Sequence, residues 1–271
     1  MGLLEGKVAA ITGGAAGIGG GVSRRFAAEG ATVVLNDNNE EWLSAAVADI
    51  EAAGGRVVVA PGDIRKPEVV ERFAAIALGV AGGRIDVLVN NVGDFRPPGR
   101  FLRTDEARWT AMYEINLLHV LRCTRALAPA MVAAGSGSIV NVSTVEAQRG
   151  IPANAVYSAF NAGVEAFTRS LAVELGREGV RVNAIAPDLA DTPQTPAVAM
   201  LAGRDPSAFR HWVPLGRAGA PQDYADVVLF LASDLSRFVT GTVIPVDGGT
   251  LAASGWYLRD DGRWTNMPAI P

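Results

Sequence analysis

The strongest constraint on this chain is an alternation of short apolar runs with longer helical segments that continues almost to its end. Lys7–Thr12, Thr32–Asn36, Arg56–Ala60, Val87–Asn90, Ser138–Val142, Arg181–Ala186 and Thr242–Val246 read as strands. Gly17–Glu29, Glu40–Ala53, Pro67–Val80, Asp105–Ala134, Asn154–Glu178 and Pro221–Ala232 read as helices. The strand runs are apolar throughout instead of alternating, which is the pattern of strands covered on both faces. Repeated strand–helix–strand units predict a parallel sheet with right-handed crossovers and helices on either side.

The 271 residues are 49 % hydrophobic, enough to fill one sizeable core, and no linker or low-complexity tract divides them, so a single domain over 1–271 is expected. Two stretches break the rhythm. Residues 188–217 carry Pro193, Pro196, Pro206 and Pro214 just after Pro187, with a short helical run near Ala197–Leu201, and are expected to form a substrate lid. The tail over 250–271, with Trp256, Tyr257 and Trp264, is expected to pack on the pocket or on a neighbouring subunit. A net charge of −4 argues against a nucleic-acid surface. The lone Cys123 excludes an internal disulfide, sits in an apolar helical pattern and reads as core filler. No run approaches ~18 uninterrupted apolar residues, no signal peptide or myristoylation pattern opens the chain, and a cytoplasmic protein without membrane contact is expected. No His/Cys/Asp cluster has metal-ligand spacing.

The first strand runs into Thr12-Gly13-Gly14-Ala15-Ala16-Gly17-Ile18-Gly19, which opens a helix. Gly13 permits a tight turn, Gly17 lets the backbone approach a pyrophosphate, Gly19 allows close helix–strand packing, and Ile18 lies among the free N–H groups that would hold phosphate oxygens. A Gly-rich turn by itself also fits a merely structural corner. The second strand, however, ends in Asp37, about 20 residues downstream, where a carboxylate can accept from ribose hydroxyls and would repel a ribose 2′-phosphate. No Arg or Lys stands at position 16 or 38, so NAD is expected over NADP. Asp63 and Ile64, after the third strand, are placed for the adenine edge. The fold so read is α/β: a single-domain, Rossmann-type, doubly wound, seven-stranded parallel sheet flanked by helices.

The motifs resemble those of the short-chain dehydrogenase/reductase family over nearly the whole chain to about Gly249. They are the turn Thr12 to Gly19, Asn90-Asn91-Val92-Gly93, the helix asparagine Asn116, Asn183-Ala184-Ile185-Ala186-Pro187 and Val246-Asp247-Gly248-Gly249. The resemblance implies that Tyr157 moves the hydroxyl proton and that a hydroxyl thirteen residues earlier, Thr144 instead of the usual serine, polarises the carbonyl. Ser143 is left to satisfy backbone at the strand end. It implies Asn90, Gly93, Pro187 and Thr192 on the cofactor. It also implies a lysine four residues after the tyrosine, sharing its helix face, and here the sequence departs: that position is Asn161. A neutral amide supplies no full charge to stabilise a phenolate, which predicts slower chemistry near neutrality and an alkaline optimum for alcohol oxidation.

Family geometry puts Asp94, Phe95, Glu146, Asn154 and Asp188 on the substrate side, with Arg149 nearby. These acidic and polar walls favour a hydroxyl-rich or cationic small molecule, and Glu146 offers a substitute base; the same acids also fit a solvated rim. His119 is expected at a subunit contact, and the resemblance implies a homotetramer or homodimer. Three readings follow: an NAD-dependent oxidoreductase interconverting a secondary alcohol and a ketone; an impaired NAD-binding sensor or scaffold, natural or an engineered lysine-to-asparagine form; and a non-redox lyase or epimerase keeping NAD.

Overall fold

The computed structural model describes residues 2–80 and 82–266. Seven strands, β1 (Val8–Thr12), β2 (Thr32–Asp37), β3 (Arg56–Pro61), β4 (Val87–Asn90), β5 (Gly137–Val142), β6 (Val180–Pro187) and β7 (Val243–Val246), form one all-parallel sheet in the order β3-β2-β1-β4-β5-β6-β7. The expected sheet is present, with strand ends within a residue or two of those read from the sequence. Order reverses between β1 and β4, which pair Ala9 with Val87 and Ile11 with Val89, so a crevice opens beyond their carboxyl ends.

One face of the sheet is covered by α1 (Gly17–Ala28), α2 (Glu40–Ala52) and, later in the chain, the helix at Pro221–Ala232, whose Phe26, Leu43, Val228 and Leu229 join one buried cluster with Leu35, Val140 and Ile185 of the strands. The other face is covered by α3 (Pro67–Val80), α4 (Glu106–Tyr113), α5 (His119–Ala134) and α6 (Ala155–Leu175), through Phe73, Leu127, Met131 and Ala172. Cys123 is fully buried there, and its apolar surroundings push the thiol up to about 12. By length and composition the 106–134 segment could cross a bilayer, but it packs against α3 and the sheet as a core helix.

The helix expected over 105–134 is interrupted by one π turn, Glu114–Leu118. Asn116 sits in that turn and donates its amide to the Met112 carbonyl at 3.0 Å, taking an acceptor that the regular ladder would use. His119, expected at a subunit contact, is instead wholly inside the fold, with neither ring nitrogen at hydrogen-bonding geometry among the described residues. Burial drives its pKa down to about 4, against partial support from the Val92 and Ile115 carbonyls.

Residues 188–217 fold over the carboxyl edge of β6 with α7 (Ala197–Leu201) and a 3-10 turn (Pro206–His211) around a small cluster of Leu201, Phe209 and Val213. The helix Pro221–Ala232 is α8 in chain order. The tail makes a two-strand hairpin, Tyr257–Leu258 with Trp264–Thr265, that docks on the 206–211 turn through His211 Nδ1 and the Leu258 carbonyl at 2.8 Å. Within the chain the hairpin therefore packs on the 188–217 segment, while Thr250 at the start of the tail bonds Asp188; the last five residues, 267–271, lie outside the described residues.

Candidate active site

The glycine turn sets one end of the crevice. Gly13 (φ +61°) and Gly17 (φ +56°) adopt the left-handed backbone that glycine alone takes without strain. A Cβ on Gly19 would overlap the Gly13 carbonyl oxygen, so α1 can approach β1 only because that atom is missing. Asn91 ties the turn to β4, its amide donating to the carbonyls of Thr12 (3.0 Å) and Gly13 (3.1 Å). Asp37, buried at the end of β2, accepts from the N–H groups of Ala15 (3.3 Å) and Asn39 (3.1 Å), and each oxygen keeps further acceptor capacity toward the crevice it lines.

At the other end stand residues of β5, β6 and α6. A buried ladder fixes their relation: Asn90 Nδ2 donates to Asn141 Oδ1 (2.9 Å) and Thr124 Oγ1 (3.2 Å), and Asn141 Nδ2 donates to Thr168 Oγ1 (2.9 Å). These bonds join β4, β5, α5 and α6, so the helix carrying Tyr157 cannot slide along the sheet without leaving buried amides unpaired.

The Tyr157 hydroxyl and the Thr144 side chain stand beside each other on the wall of the crevice. Thr144 Oγ1 also accepts from the Glu146 N–H (3.2 Å) and reaches the Pro187 carbonyl (3.5 Å). Burial lifts the Tyr157 phenol above its ordinary value, and the negative charges of Glu146, Asp94 and Asp188 push the same way; the Thr144 side chain beside it pulls the other way. No cation counters them on the helix face of Tyr157: Asn161, four residues on, is 4 % exposed and turns its amide to the Tyr157 carbonyl at 3.0 Å. Ser143 points behind the wall, its hydroxyl shared between Glu165 Oε1 (3.3 Å) and the Asn161 carbonyl (3.4 Å).

The acidic residues expected on the substrate side differ in their partners. Burial resists ionisation of Asp94, but hydrogen bonds from Arg96 (2.9 Å) outweigh it and hold the carboxyl below its usual range. Asp188 accepts from Arg149 (2.6 Å) and Thr250 (2.6 Å). Glu146 is different: burial raises its pKa, and its side-chain hydrogen bond is a long one (3.4 Å) from Asn154.

Of the residues expected at the site, Gly13, Gly17, Ile18, Asp37, Gly93, Asp94, Phe95, Thr144, Glu146, Tyr157, Asn161, Pro187, Asp188 and Thr192 line one crevice of about 1280 Å³, its open mouth included. Gly19 and Asn90 lie beneath it as packing and ladder residues. Asn116 is buried below the wall, its amide oxygen accepting from the Asp94 N–H (3.0 Å) and its NH₂ donating to the Asp94 carbonyl (2.9 Å). Asp63 and Ile64 are not among the lining residues; Asp63 is taken up by Arg65 at 2.6 Å. Asn154 stands in an adjoining cleft that shares Phe95 and Tyr157 with the crevice. Sequence reasoning missed Trp42 and Gln194, which also line it; Gln194 bridges the mouth by donating to the Gly93 carbonyl at 3.1 Å. Nothing in their spacing distinguishes them from surface residues. The glycines that open a phosphate-sized cradle at the N-terminus of α1, together with Asp37, fit a dinucleotide.

A protein-family model described as Enoyl-(Acyl carrier protein) reductase matches residues 13–250. The chain is 43 % identical over 251 residues to 3-oxoacyl-(acyl-carrier-protein) reductase FabG of Thermotoga maritima, covering 91 % of this chain and 98 % of that protein. It is 39 % identical over 246 residues to cis-4-hydroxycyclohexanecarboxylate dehydrogenase of Sinomonas cyclohexanicum, covering 91 % and 97 %. Among solved structures it is similar to a 7α-hydroxysteroid dehydrogenase complexed with NADH and 7-oxo glycochenodeoxycholic acid (32 % identity, TM-score 0.82, 91 % and 94 % covered).

Proposed function

The chain belongs to the short-chain dehydrogenase/reductase family and is an oxidoreductase of that kind, and on this premise we propose that it interconverts a secondary alcohol and a ketone on a small cyclic or aryl substrate with NAD(H). The observation that carries the reading is the Tyr157–Thr144 hydroxyl pair on the wall of a crevice whose far end is the glycine turn and Asp37.

The nicotinamide cofactor supplies the hydride acceptor or donor when bound; the N–H groups of the turn and Asp37 would hold its phosphates and adenosine ribose. In oxidation, ionised Tyr157 takes the proton of the substrate hydroxyl while Thr144 Oγ1 hydrogen-bonds the same oxygen as it becomes a carbonyl. In reduction, Tyr157 returns that proton. Positioned acid–base catalysis of this sort contributes about 10²–10⁴-fold. With Asn161 in place of an ammonium, the phenolate is scarce near neutrality and the oxidation rate should climb into the alkaline range. NAD is favoured over NADP because Asp37 would meet a ribose 2′-phosphate with like charge and neither Ala16 nor Asn38 offers a cation. The relatives' cyclic and steroidal substrates support a ring-bearing alcohol or ketone.

Asn161 favours one second reading, a cofactor-binding sensor or scaffold with weak turnover. Fluorescence titration with NADH and NADPH, followed by nicotinamide absorbance with a panel of cyclic and aryl secondary alcohols from neutral to alkaline pH, decides between them. Equal affinity for the two nucleotides would refute the NAD assignment. Tight NADH binding without turnover at any pH would leave the sensor.

A further inference from the structure

Next to the crevice lies a second, narrow cleft that shares Phe95 and Tyr157 with it and is closed by Phe101, Arg108, Trp109 and Asn154. Its walls are preorganised. Phe101 and Trp109 stack with centroids 5.4 Å apart and planes 5° from parallel. Trp109 Nε1 donates to Thr104 Oγ1 (2.8 Å), which in turn donates to the Phe101 carbonyl (2.7 Å). Opposite, the Phe95 and Tyr157 rings meet edge to face at 6.1 Å.

Into this aromatic setting α4 sends Arg108. The guanidinium lies against Gly99, where an added Cβ would sit 3.1 Å from its central carbon, and Gly99 is pinned by its N–H donating to the Ala153 carbonyl (2.8 Å). Arg108 is half-buried, yet among the described residues its side chain has no carboxylate within ion-pair distance and no hydrogen-bond acceptor. The nearest acids in sequence are otherwise engaged or exposed: Asp105 caps α4 by accepting the Arg108 backbone N–H (2.9 Å), and Glu106 faces solvent. Arg96, by contrast, spends its charge on Asp94. A planar five-donor cation beside these rings, lacking an internal partner among the described residues, suits a planar oxyanion from outside.

We infer that this cleft is the carboxylate end of the substrate site: Arg108 receives a carboxylate there while the aryl or cyclic body lies in the adjoining crevice against Phe95 and Tyr157, so that the substrate is a hydroxy or keto acid whose reacting carbon is separated from its carboxylate by that body. The inference rests on the redox reading of Tyr157 and names the substrate class for it. The acids of the crevice do not contradict it: Asp94 and Asp188 are paired with arginines, and Glu146 lines the crevice and not the narrow cleft, accepting from the Asn154 amide.

The test is calorimetric titration of the NADH-loaded protein with 3-phenylpropanoate and with the neutral 3-phenylpropanamide, repeated on Arg108→Gln and Arg108→Lys. Wild type should favour the carboxylate by about 10-fold or more, Gln should erase the preference without weakening the amide, and Lys should restore part of it. An unchanged melting temperature and NADH affinity show that each variant is folded. Equal binding of the two ligands to wild type, a preference that survives in Arg108→Gln, or no binding of either at millimolar concentration overturns the subsite. Oxidation of neutral 1-phenylethanol by the wild type, which needs no carboxylate, reports separately on the redox reading.

Discussion

Replacing Asn161 by lysine is the most direct probe of how the site moves a proton. The Asn161 side chain is buried on the α6 face that carries Tyr157, one turn away, and donates to the Tyr157 carbonyl. Three carboxylates raise the phenol and no cation opposes them there. An ammonium at this position, within about 4–6 Å of the phenol, should lower the Tyr157 pKa by roughly 1–3 units, and one unit is about 1.4 kcal/mol between protonation states. The sign follows: a group deprotonated for oxidation becomes available at lower pH, so the ascending limb of the pH–rate profile should move down by the same roughly 1–3 units. Near neutrality the oxidation rate should rise about 10-fold or more until another step limits. Glu165, one further turn along the same face, could draw the ammonium away, so the double variant Asn161→Lys/Glu165→Gln should show at least the single variant's shift. The assay is initial NADH formation from a saturating secondary alcohol across pH. A limb that stays in place in both variants, with NADH affinity unchanged, would refute the electrostatic account.

Tyr157→Phe should cut turnover by about 10²–10⁴-fold while leaving NADH affinity within a few-fold, measured by steady-state rate and fluorescence titration. Asp37→Ala removes a buried acceptor of the nucleotide end and should weaken NADH binding by about 10-fold to 100-fold, with NADPH affected less. Asn141→Ala leaves the Asn90 amide and Thr168 hydroxyl without their partner and should cost about 1–3 kcal/mol, seen as a melting temperature several degrees lower. His119 is neutral when folded, with a pKa near 4 against 6.5 unfolded, so the stability it contributes is full above the unfolded value and is lost as pH falls toward about 4. That loss is on the order of 3 kcal/mol, and urea denaturation of His119→Phe should show a shallower decline over this window.

The parallel sheet covered on both faces and the glycine turn that follows its first strand were legible in the chain itself, because each depends on neighbours in sequence. Unbroken apolar strands declare a sheet covered on both sides. The glycine turn at 13–19 and Asp37 are fixed by the strand that precedes each, and Tyr157 and Asn161 share a face by helical spacing alone. What the sequence could not decide is which partners a charged or polar side chain meets across the fold. Asp94, Asp188 and Asp63 read as acids facing a ligand, but arginines at 96, 149 and 65 claim them. His119 read as a surface residue, and the π turn before it and the packing of α5 on the sheet seal it inside. Arg108 carried no signal at all: its lack of a counter-charge exists only once α4, the 95–104 loop and the start of α6 have closed around it. Hydrophobic period and glycine placement are local properties of a chain, whereas electrostatic pairing depends on distances of a few ångströms between segments far apart in sequence, and those distances exist only in the folded molecule.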